Sequence, residues 1–200
     1  MKRLCAVVMI SVILVLSACS TKEPLEEEGD AAIQPAKLSN YEKNLTQIMA
    51  MENFAYDVNI HDEEVRAIET TIDYYKNGEL MGTFAELESH VNDDNSIRTV
   101  FLRQKLNENE EKWVCSHMDE NGQSSGMQMK EFEGREELNS SAWGGLTEPT
   151  PLYIGEKLVI ASLVFSNKNG ISIYSDLSTE EALKQQTDYE QVYIISIELK

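Results

Sequence analysis

Cys115 and His117 stand two apart, and that spacing places a thiol and an imidazole on one face of a strand together with Trp113. A cysteine nucleophile needs a nearby base to raise its thiolate fraction. The local sequence supplies no recognisable third group, so the pattern points to a buried structural thiol. The other histidines are His61 and His90. No His-Glu-x-x-His helix, Cys-x-x-Cys pair, phosphate-cradling glycine loop or Gly-x-Ser-x-Gly elbow occurs; Ser124-Ser125-Gly126 falls in a turn. Asn92-Asp93-Asp94-Asn95 and Asp119-Glu120-Asn121 offer hard oxygen ligands of the kind calcium takes, but neither has EF-hand spacing. Aspartate and asparagine shape turns for backbone reasons alone. With 35 carboxylates in 200 residues, an acid–base pair formed by chance has no diagnostic value. The sequence therefore predicts no catalytic residue, no cofactor and no metal ligand.

One further cysteine carries chemistry of another kind. Met1-Lys2-Arg3 is basic, Leu4 to Leu16 is almost wholly apolar, and Leu16-Ser17-Ala18-Cys19 ends the run on small residues and a thiol. The run is shorter than the roughly 20 residues a membrane span needs, and its layout is that of a secretory signal. Its end resembles the lipobox of bacterial lipoproteins. That resemblance implies diacylglyceryl transfer to Cys19, cleavage before it, and attachment to the extracytoplasmic face of the cell membrane. Two acyl chains hold durably where one would be marginal. Ser20 after the cysteine is compatible with outer-membrane sorting in a diderm envelope. Once Cys5 is removed and Cys19 is lipidated, only Cys115 remains, so no internal disulfide can form.

Processing at Cys19 removes Lys2 and Arg3, leaving 15 basic against 35 acidic residues, a net charge of −20. Such a surface repels nucleic-acid phosphates, and no nucleic-acid partner is expected.

The elements that must position any site follow from periodicity. The sequence divides into a signal at 1–18, a lipidated cysteine with an acidic flexible tether at 19–37, and one domain at 38–200. The tether holds Glu23, Glu26, Glu27, Glu28 and Asp30 with Pro24, Gly29 and Pro35. As a coil, about 18 residues would reach roughly 25 Å. Ser39 and Glu42 form a capping-box pattern, and Tyr41, Leu45, Ile48 and Met49 then share a helical face expected to pack on a sheet.

From Phe54 the period becomes two. Phe54, Tyr56, Val58 and Ile60 alternate with polar or small residues, as do Ile68, Ile72 and Tyr74. Asn77-Gly78 predicts a type I′ hairpin into Leu80–Glu88. Ile97–Leu106 reads as a strand with Val100, Leu102 and Leu106 inward and Arg103 and Lys105 outward. Lys112–Met118 pairs back, and Asn121-Gly122 leads to Met127 and Met129. Leu158–Phe165 should be a strand buried on both faces, returned by Asn169-Gly170 to Ile171 and Ile173. Ser178-Thr179-Glu180-Glu181 opens a second short helix, and Tyr189 to Leu199 closes the chain as a strand. Glu133–Gly155, with Trp143-Gly144-Gly145, Pro149 and Pro151, reads as a long irregular loop.

Eight or nine strands and one or two short peripheral helices predict a mainly β protein, an antiparallel β-sandwich of Ig-like or open-barrel type. In its lipobox, acidic tether and Glu/Lys/Asn-rich sandwich the chain resembles small surface lipoproteins of low-GC Gram-positive bacteria. The expected function is a lipid-anchored extracytoplasmic binding module with an envelope protein or peptide partner. The alternatives are a small-ligand or ion-binding sensor or transport accessory, for which a large apolar pocket would speak, and a cell-wall-directed hydrolase.

Overall fold

The structure, a computed structural model, describes residues 29–91, 96–107, 109–131, 137–174 and 176–200. The predicted signal, the Cys19 lipidation site and Asn92–Asn95 lie outside the described residues. Among those described, two antiparallel sheets face each other without closing into a barrel, as the sandwich reading expected. The first sheet is built from β1 (Ala31–Pro35), β2 (Glu52–Ile60), β5 (Ser96–Lys105), β6 (Glu110–Met118), β7 (Gln123–Glu131) and β9 (Thr150–Leu152). Its order is β7-β6-β5-β2-β1-β9. The second contains β3 (Ala67–Lys76), β4 (Glu79–His90), β8 (Ser140–Gly145), β10 (Lys157–Ser166) and β11 (Gln191–Leu199), ordered β4-β3-β11-β10-β8.

Alternation drives the layering. Phe54, Tyr56, Val58 and Ile60 of β2 face Ile68, Ile72 and Tyr74 of β3 and Tyr193, Ile195 and Ile197 of β11 across one core. At its centre Tyr193 lies 4.8 Å from Trp113, 5.3 Å from Tyr74 and 5.8 Å from Phe84, ring centre to ring centre, within the range of favourable tilted and edge contacts. Tyr56 donates its hydroxyl to the Ile160 carbonyl at 2.9 Å, tying the two sheets together.

The predicted hairpin at Asn77-Gly78 forms with both residues at positive φ, 51° and 86°, as a type I′ turn demands. Asn169-Gly170 makes no hairpin. The residues after it carry no strand, and β10 pairs instead with β11 and β8. Ile171 and Ile173 pack on the outer face of the second sheet, where Val164, Val192 and Ile194 need cover.

Three other expectations change. The tether predicted to run to Lys37 stops sooner: Ala31–Pro35 is a strand between β2 and β9, with Ala31 and Ile33 fully buried. Its two inward apolar residues are too short a run to register against the surrounding acidic composition. The loop predicted at 133–155 contains β8 and β9, and its glycines have a packing reason. A Cβ on Gly144 would lie 2.5 Å from Ile173 Cγ2, and one on Gly145 would meet the Tyr56 hydroxyl and stand 2.8 Å from the Ile160 carbonyl.

The first helix, α1 (Asn40–Met49), has the predicted capping box of Ser39 and Glu42 but is turned over. The sheet beneath it is polar: Arg98 Nε donates to Asp57 at 2.7 Å, and its Nη1 reaches Glu42 at 3.1 Å. Glu42 therefore faces the sheet, and Tyr41 and Ile48 are left 75% and 83% exposed. The second helix, α2 (Glu180–Thr187), is capped by Thr179, whose hydroxyl accepts from the Ala182 amide.

Candidate functional site

Cys115, His117 and Trp113 share the inward face of β6, as their spacing predicted. The structure adds the third group that local sequence could not show. Thr70 of β3 places Oγ1 3.0 Å from Cys115 Sγ and 3.1 Å from His117 Nε2, and Ser89 of β4 places its hydroxyl 2.8 Å from His117 Nδ1. The arrangement is nonetheless poorly suited to nucleophilic chemistry. Burial pushes the Cys115 thiol up to about 11 and the His117 imidazole down to about 4, so both are neutral near pH 7. The thread satisfies buried polar groups between the sheets. It borders a cavity of about 150 Å³ whose lining includes Ser89, His90, His117 and Asp119.

Asp119 is committed to its turn: Oδ1 accepts the backbone amides of Asn121 and Gly122, each at 2.8 Å. Among the described residues no three His, Cys, Asp or Glu side chains converge as metal ligands. His61 follows β2, and His90 ends β4 in the lining of the cavity that His117 borders. Trp143 lies on the edge strand β8 opposite Leu163 and is half exposed.

The largest departure from the sequence reading is the phase of β5. Ile97, Thr99, Phe101 and Arg103 face the core, and Val100 and Leu102 lie on the outer face. Arg103 is only 3% exposed. Its Nη1 donates to Glu52 Oε2 and its Nη2 to Glu111 Oε1, while the guanidinium carbon lies 4.7 Å over the Phe165 ring. Glu111 Oε2 also accepts from Tyr193 at 3.2 Å and from the Trp113 indole at 3.4 Å. Burial alone would lower the pKa of Arg103, but the hydrogen bonds and charges of Glu111 and Glu52 outweigh it and hold it above its ordinary value. A signal for this cluster exists in the sequence: Arg103 is in phase with Ile97 and Phe101, and Glu111 with Trp113 and Cys115. The cluster borders a cavity of about 370 Å³ at the end of the sandwich where β2 and β6 begin and β5 and β10 end.

A larger concavity lies on the outer face of the second sheet. It holds about 610 Å³ between the strands and the segment that leads into α2. Its lining includes Tyr75, Val159 and Ile194 from the strands and Leu177 and Leu183 from the opposite wall. Gln186, fully buried on α2, fixes that wall: it accepts the Tyr174 amide at 2.9 Å and donates to the Ser172 carbonyl at 3.4 Å. The polar rim is Asp73 with Lys157, 2.9 Å apart, and Thr83 donates to the other Asp73 oxygen at 2.8 Å. Thr71 pairs with Ser196 and Ser162 with Ile194, so both lie on the groove's face of the sheet. Their hydroxyls are buried without a hydrogen-bond partner among the described residues. Sequence reasoning missed this groove because its floor joins Tyr75, Val159 and Ile194 from three different strands and its cover carries no strand signal.

Residues 32–199 match the family described as the YgaN domain, a span that takes in nearly the whole two-sheet body. No curated protein and no solved structure matches the chain.

Proposed function

We propose that this chain, which belongs to the YgaN domain family, is a lipid-anchored extracytoplasmic binding module that takes a small amphipathic ligand into the groove beneath α2. The observation that carries the reading is the groove. Its volume of about 610 Å³ is in the range of small-molecule sites, and its apolar walls end at a few fixed polar groups. The Asp73–Lys157 pair on its rim gives the polar end of a ligand an orientation. The anchor rests on the sequence: the basic start, the apolar run and Cys19. Among the described residues no helix is long and apolar enough to cross a membrane.

Two arms test the reading. Membrane fractionation of wild type and Cys19→Ala tests the anchor, and equal retention of both would overturn it. Thermal unfolding with decanol, decanoate and decylamine tests the groove. At least one should raise the midpoint saturably, and Leu183→Trp, which fills the groove, should abolish the effect. No response to any of the three, or an unchanged response in Leu183→Trp, would overturn the groove reading.

A second reading, docking of an envelope protein or peptide, is favoured by the outward apolar stripe of α1 and by Met127 and Met129, which are more than half exposed on the outer face of β7.

A further inference from the structure

A group of exposed apolar side chains shares one side of the molecule. α1 lies on the outer face of the first sheet: Glu42 meets Arg98 of β5, and Gln104 of β5 donates to the Met49 carbonyl. Arg98 and Gln104 alternate with the inward Ile97, Thr99 and Arg103, which places them on that outer face. Tyr41, Leu45, Ile48 and Met49 of the helix are all exposed. Met127 and Met129 of β7 share this side: they pair with Val114 and Lys112, which alternate with the inward Trp113 and Cys115. Single exposed apolar residues are ordinary, whereas a group of them on one face marks a surface that meets protein or lipid.

Two features of that side favour lipid over protein. Glu42, the only acidic residue of α1, is paired with Arg98, which also holds Asp57. The helix therefore brings no unpaired carboxylate to a phosphate headgroup, and the exposed Lys43 offers it a cation. The path of the chain is the second feature. About ten residues separate Cys19 from Gly29, a reach of at most about 35 Å. The chain then enters the first sheet as β1, beside β2 and in the sheet that carries α1. A helix is about 10–12 Å across, so a bilayer touching the outer side of α1 lies within that reach. We propose that the outer side of α1 rests in the interfacial layer of the bilayer that holds the Cys19 lipid, with Tyr41 at headgroup level and Leu45, Ile48 and Met49 against the acyl boundary. The docking depends on the lipid anchor proposed above and not on the groove. It fixes how the domain stands: the groove, on the outer face of the opposite sheet, opens away from the bilayer and takes its ligand from the aqueous side.

The test labels single introduced cysteines with a nitrobenzoxadiazole fluorophore, since the buried Cys115 is shielded from the reagent and Cys19 carries the lipid. Ile48→Cys reports on the outer side of α1, and Lys184→Cys on α2 reports on the opposite layer; both positions are exposed. The chain as the cell processes it is reconstituted into phosphatidylcholine vesicles, with and without nitroxide-labelled lipid, and floated. Quenching in Ile48→Cys should exceed that in Lys184→Cys by about threefold or more, with blue-shifted emission in Ile48→Cys alone. A chain that floats but is quenched equally in both variants, or more in Lys184→Cys, would overturn the docking and leave the anchor standing. A chain that does not float would overturn both. Should the Ile48→Cys label be shielded in whole cell membranes and open to water in vesicles of lipid alone, the face belongs to a protein partner and the docking is likewise overturned.

Discussion

Replacing Arg103 by methionine separates the structure's account of β5 from the one alternation suggested. In the structure the guanidinium is 3% exposed and holds Glu52 and Glu111 at once. Methionine would fill much of the volume but leave two carboxylates buried without the cation they share. Breaking a buried ion pair from one side costs about 3–5 kcal/mol, because the orphaned charge stays desolvated. The burial of all three groups means solvent screening gives little relief. Against a typical domain stability of about 5–15 kcal/mol, that loss moves a denaturation midpoint far outside error. The companion substitution is Leu102→Lys. On the half-buried outer face it should cost about 1 kcal/mol or less. If Leu102 pointed inward, the same change would bury a charge and be ruinous. Urea denaturation followed by tryptophan fluorescence measures both, with the unchanged slope confirming a change in stability and not in compactness. A cost below about 1 kcal/mol for Arg103→Met together with a large one for Leu102→Lys would refute the inward arginine.

The thiol and imidazole give two more expectations. Cys115, pushed up to about 11 by burial, should react with a thiol reagent at pH 7.5 only as fast as the domain opens; rapid labelling of the native protein would contradict its burial. His117 is held at about 4 against an ordinary 6.5, so the unfolded chain binds the extra proton between those values. The contribution of neutral His117 is complete above about pH 6.5 and is lost as pH falls towards 4, by about 3 kcal/mol at most. Lowering pH also relieves repulsion among the acidic residues, so the readout is the difference in pH dependence between wild type and His117→Gln; identical profiles would remove the assignment. Gly145→Ala should cost about 1–3 kcal/mol, because the new Cβ meets the Tyr56 hydroxyl and the Ile160 carbonyl, and Tyr56→Phe should recover part of it. Equal losses for Gly145→Ala in both backgrounds would show that the two residues do not touch.

Much of the architecture follows from local rules. The alternation of β2, β3 and β11, the positive-φ turn at Asn77-Gly78 and the two helix caps are each set by residues near in sequence, and each was legible there. What was not legible depends on neighbours distant in the chain. Arg103 reads as an outward residue until Glu52, 51 positions away, is seen opposite it in the ladder. The apolar stripe of α1 reads as a core face until the strands beneath prove to carry Asp57 and Arg98. Thr70 completes the Cys115–His117 contact from another sheet, 45 and 47 positions away. The groove is the extreme case, since its floor and cover are built from segments whose own patterns say only strand and loop.

The account's central claim is that the groove beneath α2 receives a ligand, and methyl NMR of the folded domain tests it most directly. With Ile, Leu and Val methyl groups labelled, titration with decanol, decanoate and decylamine should produce saturable shifts at Val159, Leu177, Leu183 and Ile194, which line the groove. The methyls of Ile68 and Leu163, fully buried between the sheets, should stay in place. Shifts confined to the groove are the result the account predicts. A spectrum that none of the three changes, or one in which the changes fall on the outer face of α1 and leave the groove still, would contradict it.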